Sequence, residues 1–303
     1  MMFGTRETFT YWRCPSCRAL NLAKTPDDLG RHYPTGYYSL GAPPRPSRFR
    51  AARLAKRART EVLLRLPARP VDVLADRSPD RIVPPLYRWL AGLGLSTQSS
   101  ICDVGTGSGA LLGFLADAGF RDLYGLDPYL SVPTRTTNEV RIDRKDVSEL
   151  HGSWDLIMLS HVLEHLDDPL RDLNEARKRL SPRGRILLRV PIADSWAARA
   201  YGEHWAQIDA PRHLMVPTVE SIRCLASRTG MSVQRIFWDS GRFQFWASEQ
   251  YQQDIPLNDE RSWSTNPEAS IFVTAQMLAF DQRARALNGR GEGDSAGFVL
   301  SLT

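Results

Sequence analysis

Residues 101–109 read ICDVGTGSG, and the apolar run ALLGFLA follows at 110–116. A strand therefore enters a turn with glycine at every second position, and a helix leaves it. Glycine allows positive φ angles and removes the Cβ atoms that would hold a ligand away from the backbone. The Gly-x-Gly-x-Gly spacing is one residue shorter than the dinucleotide fingerprint, so a pyrophosphate is not the expected ligand. The turn predicts a different ligand that lies against its backbone.

An acidic residue at the end of the next predicted strand extends this pattern. The run LYGL at 123–126 leads directly into Asp127. A carboxylate at that place can accept hydrogen bonds from both hydroxyls of a ribose, and it repels a 2′-phosphate. The glycine turn and Asp127 together predict a ligand that carries an unphosphorylated ribose.

Further segments follow in order along the chain. WDLIMLSHVLEHL spans 154–166, SPRGRILLRVP spans 181–191, DAPRHL spans 209–214 and GDSAGFVL spans 293–300. Together with the glycine turn, these segments resemble the class I S-adenosylmethionine-dependent methyltransferases. The resemblance implies an α/β fold over residues 96–303, with a doubly wound, mainly parallel, seven-stranded, Rossmann-like sheet. It also implies a helical and ribbon-like N-terminal extension.

The resemblance implies S-adenosylmethionine as cofactor and assigns a set of residues to it. The expected cofactor-binding residues are Asp103, Gly105, Thr106, Gly107, Gly109, Asp127, Pro128, Asp146, Val147, Ser160 and His161. In this set Asp103 would receive the ammonium group and Asp127 the ribose hydroxyls. Asp146 and Val147 would border the adenine, and the last two residues would line the floor near the sulfonium. The alternative is that the glycines only form a tight turn, that Asp127 caps it, and that Asp146 is a solvated loop acid.

The composition is that of a globular protein. The composition is 42% hydrophobic and 24% charged, and 303 residues are enough for one large domain with an appendage or for two modest domains. No apolar run approaches the ~18 residues that span a bilayer, and no signal-peptide pattern opens the sequence, so we expect a cytoplasmic protein. The oligomeric state is left open.

A basic segment supplies much of the net charge of +5. Eight Lys and Arg residues lie between 48 and 69 against one Glu. Apolar residues recur there at helical spacing and form a stripe expected to face the protein: Ala51, Leu54, Ala55, Ala58, Val62 and Leu66. The spacing predicts an amphipathic helix over 48–66 with an arginine-rich outer face. A solvated face is the first interpretation. The second is attraction to an anionic glycolipid or nucleotide-sugar acceptor, with peripheral contact with anionic lipid, and the third is nonspecific nucleic-acid binding. No RNA-binding motif supports specific nucleic-acid binding.

The N-terminal segment contains a cysteine pair. Residues 14–17 read CPSC, the two-residue gap of a zinc knuckle, although structural zinc needs two further ligands. Methyltransferases of the sugar and natural-product tailoring type, which this chain resembles, commonly begin with a paired-knuckle zinc ribbon. We therefore divide the chain into a degenerate zinc-ribbon-like segment (1–40), a linker and basic helical region (41–95) and the methyltransferase domain. Cys14 and Cys17 are candidate zinc ligands, with a relict turn as the alternative.

The candidate acceptor side is residues 201–213, which read YGEHWAQIDAPRH. Methyl transfer is an in-line displacement, so the protein mainly aligns the acceptor and needs a base only if the acceptor loses a proton. We assign His213 as general base or acceptor-positioning group, Asp209 as its orienting partner and Arg212 as an anion contact. The alternative is that these side chains tie the loop to the fold. The resemblance to tailoring enzymes favours a saccharide or small-metabolite acceptor.

Two other classes of function are compatible with parts of the sequence. One is a non-catalytic cofactor-binding or assembly protein. The other is a zinc metallopeptidase, because His161-Val162-Leu163-Glu164-His165 matches the His-x-x-Glu-His pattern. That pattern needs both histidines on one helix, whereas His161 directly follows a predicted strand. Glu164 and His165 are therefore expected to orient the loop or hold the start of a helix.

Overall fold

The computed structural model describes residues 4–33, 50–77, 83–136 and 138–303. The proline-rich linker predicted at 41–46 lies outside these residues, as does the predicted start of the basic helix at Arg48. Within the described residues the strands, in chain order, are β1 (Tyr11–Arg13), β2 (Leu20–Leu22), β3 (Ser100–Val104), β4 (Asp122–Leu126), β5 (Thr134–Arg135), β6 (Arg141–Asp143), β7 (Trp154–Ser160), β8 (Leu180–Pro191), β9 (Met215–Val216), β10 (Met231–Trp238) and β11 (Ser295–Leu302). The α-helices are α1 (Arg50–Arg65), α2 (Ala68–Arg77), α3 (Pro85–Leu90), α4 (Ala110–Ala118), α5 (Pro169–Arg177), α6 (Trp196–Tyr201), α7 (Val219–Arg228), α8 (Phe243–Gln252) and α9 (Thr274–Gly289). None of these helices is long and apolar enough to cross a membrane.

The central sheet has the order β10-β11-β8-β7-β3-β4-β6-β5. Its middle is parallel, because β3 pairs in parallel with β4 and β7, and β7 pairs in parallel with β8. The last strand, β11, lies antiparallel between β8 and β10. The predicted mainly parallel α/β sheet is confirmed. It has eight strands among the described residues and not the predicted seven, because the two-residue β5 adds an antiparallel edge that is too short to show a sequence period.

The alternation of side chains along β7 explains why this sheet is covered on both faces. Ile157 and Leu159 pack into one apolar cluster, and Leu156 and Met158 pack into another on the opposite face. All four are at most 1% exposed, and burying each such side chain stabilises the fold by about 1.5–3 kcal/mol. A strand that is apolar on both faces belongs in the middle of a helix-covered parallel sheet. The carboxyl ends of β3, β4 and β7 consequently meet at one edge.

The described part of the N-terminal segment joins the rest of the protein through strand pairing. β1 and β2 form an antiparallel hairpin, and β2 also pairs with β9. The Tyr11 hydroxyl donates a hydrogen bond to the backbone carbonyl of His213 (2.7 Å), and the Thr218 hydroxyl donates one to that of Cys17 (2.6 Å). The hairpin therefore fixes one side of the loop that carries His213. The proposed division at residues 40 and 95 stays a prediction.

The basic helix forms, but its predicted orientation is wrong. The apolar stripe that was expected to face the protein includes Leu54 and Val62, which are 65% and 60% exposed. The helix instead buries Thr60, Leu63 and Leu64. This rotation follows from packing against α3 and α4, which hydrophobic spacing alone does not encode. The expected contact with anionic lipid stays a prediction.

Candidate active site

The glycine turn after β3 adopts the conformation that its sequence requires. Gly105, Gly107 and Gly109 have φ angles of +66°, +54° and +75°, a region that L-residues with side chains rarely adopt. A Cβ atom on Gly105 would lie only 2.5 Å from Cγ2 of Val162. The turn therefore needs glycine both for its backbone angles and for close packing, and α4 begins directly after it.

Asp127 ties this turn to the end of β4. Its Oδ2 accepts a hydrogen bond from the backbone N–H of Gly107, and its Oδ1 accepts one from that of Tyr129, both at 2.9 Å. The predicted turn-capping role of Asp127 is thus present in the structure. Each carboxylate oxygen has a second lone pair, so Asp127 can still accept hydroxyl groups from the cavity that it lines.

A cavity of about 300 Å³ opens at the carboxyl edge of the sheet. Seven of the predicted cofactor residues line it: Gly105, Asp127, Pro128, Asp146, Val147, Ser160 and His161. The four others, Asp103, Thr106, Gly107 and Gly109, do not line it. Carboxyl ends of parallel strands are the usual place for ligands in open α/β sheets, and this position agrees with that rule.

The cavity wall also contains residues that were not among the predicted cofactor residues, notably Tyr33, Tyr129 and His165. Tyr129 is 74% exposed, and its ring stacks on that of Tyr33, with 6.2 Å between ring centroids. Tyr129 follows Asp127 by two positions, so its place in the sequence was a usable signal. Tyr33 had no such signal, because it reaches the cavity only through the docking of the N-terminal segment.

Asp146 lines the cavity and also caps a local turn. Its Oδ1 accepts the backbone N–H of Ser148 at 2.7 Å and so caps a short 3₁₀ turn over Val147–Glu149. The hydrogen bond that the hydroxyl of Ser148 donates to Asp146 is the main reason that the pKa of Asp146 is lowered. The carboxylate is therefore ionised and fixed at the mouth of the cavity.

Asp103 is buried at the end of β3. Burial and, to a smaller extent, the charge of Asp127 raise its pKa to about 7, and the nearby hydroxyl of Thr106 opposes that shift. Asp103 does not reach the cavity surface, so it would act on an ammonium group through an intervening group or through its field. Its place one residue before the cavity-lining Val104 keeps it close to the glycine turn.

The end of β7 carries Ser160 and His161 into the cavity. The hydroxyl of Ser160 accepts a hydrogen bond from Nη1 of Arg189 at 2.9 Å. His161 has a φ of +56°, a strained conformation for a residue with a side chain, and its Nδ1 lies 3.2 Å from Oε1 of Glu164. The positive φ of His161 and its contact with Glu164 thus fix the direction in which the chain leaves β7.

Glu164 is completely buried below this turn. Burial alone would raise its pKa, but the hydrogen bond from His161 and the charges of His161, His213 and His165 lower it to about 2. Nδ1 of His165 lies 2.9 Å from the backbone carbonyl of Arg212. A buried carboxylate therefore sits among three imidazole rings at the edge of the cavity.

The structure brings His213, Asp209 and Arg212 together, but it buries them behind His165. His213 is 5% exposed, its ring lies 4.7 Å from that of His165, and its Nε2 lies 3.7 Å from Oδ2 of Asp209. Burial and, to a smaller extent, the charge of His165 lower the pKa of His213 to about 4, although Asp209, Glu164 and the backbone of Gln207 act in the opposite direction. Arg212 forms its ion pair with Asp209, and neither residue lines the 300 Å³ cavity.

Neither zinc pattern of the sequence forms a complete site among the described residues. His161 lies outside any helix, and only Leu163–His165 forms a single 3₁₀ turn, so the two histidines do not share a helical face as a metallopeptidase requires. Cys14 and Cys17 have no third His, Cys, Asp or Glu ligand beside them in the described part of the chain. Zinc at the cysteine pair stays a prediction.

A doubly wound sheet, a glycine turn and a carboxylate facing one cavity define a fold that binds a nucleoside cofactor. Residues 52–236 match the sequence model of a family described as methyltransferase domain. The chain belongs to this family. The predicted class, an S-adenosylmethionine-dependent methyltransferase, is confirmed at the level of the family. No curated protein matches the sequence.

Several solved structures share parts of the fold. An O-methyltransferase from neocarzinostatin biosynthesis, crystallised with S-adenosylmethionine, is 18% identical, with a TM-score of 0.37 over 46% of this chain and 45% of that chain. The mitomycin 7-O-methyltransferase is 14% identical, with a TM-score of 0.43 over 77% of this chain and 60% of that chain. Magnesium protoporphyrin IX methyltransferase from Synechocystis, crystallised with S-adenosylhomocysteine, is 18% identical, with a TM-score of 0.39 over 58% and 78%. This chain thus spans about half the length of the first two proteins.

Proposed function

We propose that the protein transfers a methyl group from S-adenosylmethionine to a small-molecule acceptor. The observation that carries this proposal is the cavity that Gly105, Asp127 and Ser160 bound at three neighbouring strand ends. The methionyl carboxylate gains from the positive end of α4, which begins directly behind the turn. Asp127 accepts the ribose hydroxyls with lone pairs that its backbone hydrogen bonds leave free.

The remaining predicted residues complete the proposed cofactor site. Asp146 and Val147 border the adenine, and Tyr129 offers an exposed ring beside them. Ser160 and His161 lie near the sulfonium. Asp103 favours the ammonium group because a neighbouring positive charge stabilises its ionised form.

We place the acceptor on the side of His165. His165 lines the cavity, and His213 contacts it from behind, so in this proposal His213 positions His165 and does not itself touch the acceptor. Asp209 and Arg212 hold the loop in place through their ion pair. We give His213 this positioning role and not that of a proton-accepting base, because its ring is buried and does not line the cavity.

A saccharide is the acceptor class that we propose to test first. A second cavity of about 660 Å³ lies beside the same loop, between the N-terminal hairpin and α8. Its wall combines the charged groups Arg13, Glu203 and Asp209 with the rings of Tyr11 and Tyr251. Charged and hydroxyl groups bind the hydroxyls of a sugar, and aromatic rings cover its apolar face. Because none of these residues lines the cofactor cavity, this wall would hold a part of the acceptor at a distance from the methylated group.

The test is a labelled-methyl assay with S-adenosylmethionine over nucleotide sugars, glycolipids and small phenols. We expect label to be transferred to at least one class, with nucleotide sugars first. Binding of S-adenosylhomocysteine without transfer to any acceptor would instead support a non-catalytic cofactor-binding protein. Absence of both binding and transfer would contradict the proposal as a whole.

A further inference from the structure

Glu164, His165 and His213 form a cluster of metal-ligating groups. Each offers one ligand atom, and these atoms all lie within 4.8 Å of one another. Among the described residues this is the one group of three or more such side chains. It differs from the sequence motif, because His213 comes from a distant loop and Glu164 takes the place of a ligand.

The carboxylate of Glu164 has one oxygen free for a cation. Oε1 faces Nδ1 of His161 at 3.2 Å, whereas the buried Oε2 has no hydrogen-bond partner among the described residues. A buried carboxylate oxygen is costly to leave unpaired. Ligating carboxylates are themselves usually held by a hydrogen bond, as His161 holds this one. The unpaired Oε2 therefore favours a positively charged ligand at this place.

The two histidines are oriented as metal ligands usually are. Nδ1 of His165 faces the carbonyl of Arg212 at 2.9 Å, and Nδ1 of His213 faces the carbonyl of Gln207 at 2.8 Å. A carbonyl only accepts hydrogen bonds, so each Nδ1 carries the proton and each Nε2 keeps its lone pair in the neutral ring. A metal-bound histidine typically donates its other N–H to a backbone carbonyl in this way.

We propose that Glu164, His165 and His213 bind one divalent transition-metal cation, with Zn²⁺ as the best match. Two imidazoles and one carboxylate form a ligand set that zinc accepts, and three protein ligands leave a fourth position open. Metal–ligand distances of about 2.0–2.2 Å require the three donor atoms to move closer together than they stand here. Because His165 lines the 300 Å³ cavity, the cation lies beside the proposed cofactor site.

A nearby carboxylate also approaches His213. Oδ2 of Asp209 lies 3.7 Å from Nε2 of His213, and Asp209 is fixed there by its ion pair with Arg212. The charge of Asp209 is offset by that of Arg212, so we treat Asp209 as a neighbour of the site and not as a ligand. The metal site rests on these side chains and does not depend on the proposed methyl transfer.

The experiment is a titration of the metal-free full-length protein with Co²⁺, followed by visible absorption, and analysis of bound zinc after addition of Zn²⁺. We expect one equivalent of cobalt with the intense bands of a four- or five-coordinate ion. Glu164→Gln and His213→Ala should each weaken cobalt binding at least tenfold. His151→Ala is the control, because His151 is exposed beyond the amino end of β7, and should bind cobalt like the original protein.

A Cys14→Ser, Cys17→Ser double variant separates this site from the N-terminal knuckle. Cobalt bands that persist in this variant support the proposal, and bands that vanish in it overturn the proposal. Absent cobalt binding, or binding that Glu164→Gln and His213→Ala leave unchanged, also overturns it. Binding of S-adenosylhomocysteine is measured in parallel, so a failure of the metal site and a failure of the proposed function are told apart.

Discussion

At the scale of one residue, Asp103 shows that the site buries a carboxyl group whose charged form is unfavourable there. Its pKa is raised from 3.8 to about 7, so the folded protein binds this proton more tightly than the unfolded chain does. Stability from this group is complete below pH 3.8 and is lost as pH rises towards 7, because the charged form is buried. An ionised carboxylate near the glycine turn thus reduces stability, and a cationic ligand would offset the loss.

We expect Asp103→Asn to stabilise the protein more at pH 8 than at pH 5. In the folded protein both side chains are neutral at pH 5, whereas at pH 8 the aspartate is charged and the asparagine is not. The difference between the two pH values in the stabilisation amounts to about 1–3 kcal/mol. Urea unfolding of both proteins at the two pH values measures it, and comparison within each pH cancels the other titrating groups. An equal effect of the substitution at both pH values would contradict the assignment.

His213 gives a second prediction at this scale. Because it packs behind His165, His213→Ala should lower turnover by about 10–100-fold while the affinity for S-adenosylhomocysteine changes less than about twofold. Steady-state rates with the best acceptor and calorimetry of cofactor binding provide the two readouts. His151→Ala should change neither, since its side chain is exposed at the opposite edge of the sheet. Unchanged turnover in the His213 variant would contradict the proposal that His213 positions His165 beside the acceptor.

Single residues also show which parts of the site can be predicted from the sequence. Asp127 and the three glycines could be assigned to the site, because strand-end acids and glycine turns are local patterns. The hydroxyl of Tyr33 lies 3.3 Å from Nδ1 of His165, a contact between positions 132 residues apart that no local pattern predicts. The burial of His213 could not be predicted either, because a polar segment of sequence does not indicate whether one of its histidines is buried or exposed.

At the scale of elements, the turn between β3 and α4 is the feature on which the site depends most. Local sequence predicted it well, because alternating glycines between an apolar strand and an apolar helix leave few other conformations. The basic helix α1 was predicted in length but not in orientation. Its buried face includes Thr60 and its exposed face includes Leu54, so hydrophobic spacing indicated the wrong side.

Gly105→Ala tests the turn. The added Cβ meets both a positive φ and Val162 at 2.5 Å, so we expect a loss of stability of more than about 2 kcal/mol and loss of cofactor binding. Gly94→Ala is the matched control, because Gly94 has a φ of +72° but no atom within 4 Å of an added Cβ. Thermal unfolding should show the smaller cost, about 1 kcal/mol, for Gly94→Ala. Equal costs in the two variants would mean that packing at Gly105 is not tight.

At the scale of the whole molecule, the order of elements along the chain predicted the α/β class and the parallel middle of the sheet. Alternating apolar strands and helical patterns have few other ways to bury both faces of a sheet. The pairing of β2 with β9 was not predictable, because each strand is only two or three residues long and they lie far apart in the chain. That pairing brings the N-terminal hairpin against the loop of His213 and places Tyr33 on the cavity.

The measurement that tests the central claim most directly is calorimetry of S-adenosylhomocysteine binding to the full-length protein, to Asp127→Asn and to Asp122→Asn. Asp127 lines the cavity at the carboxyl end of β4, whereas Asp122 is exposed at the amino end of the same strand. Loss of charge-assisted hydrogen bonds to the ribose should weaken binding about 10–100-fold in Asp127→Asn and leave Asp122→Asn unchanged, with all three proteins folded by circular dichroism. No binding to the original protein, or equal affinity in the two variants, would contradict a cofactor site between the glycine turn and Asp127.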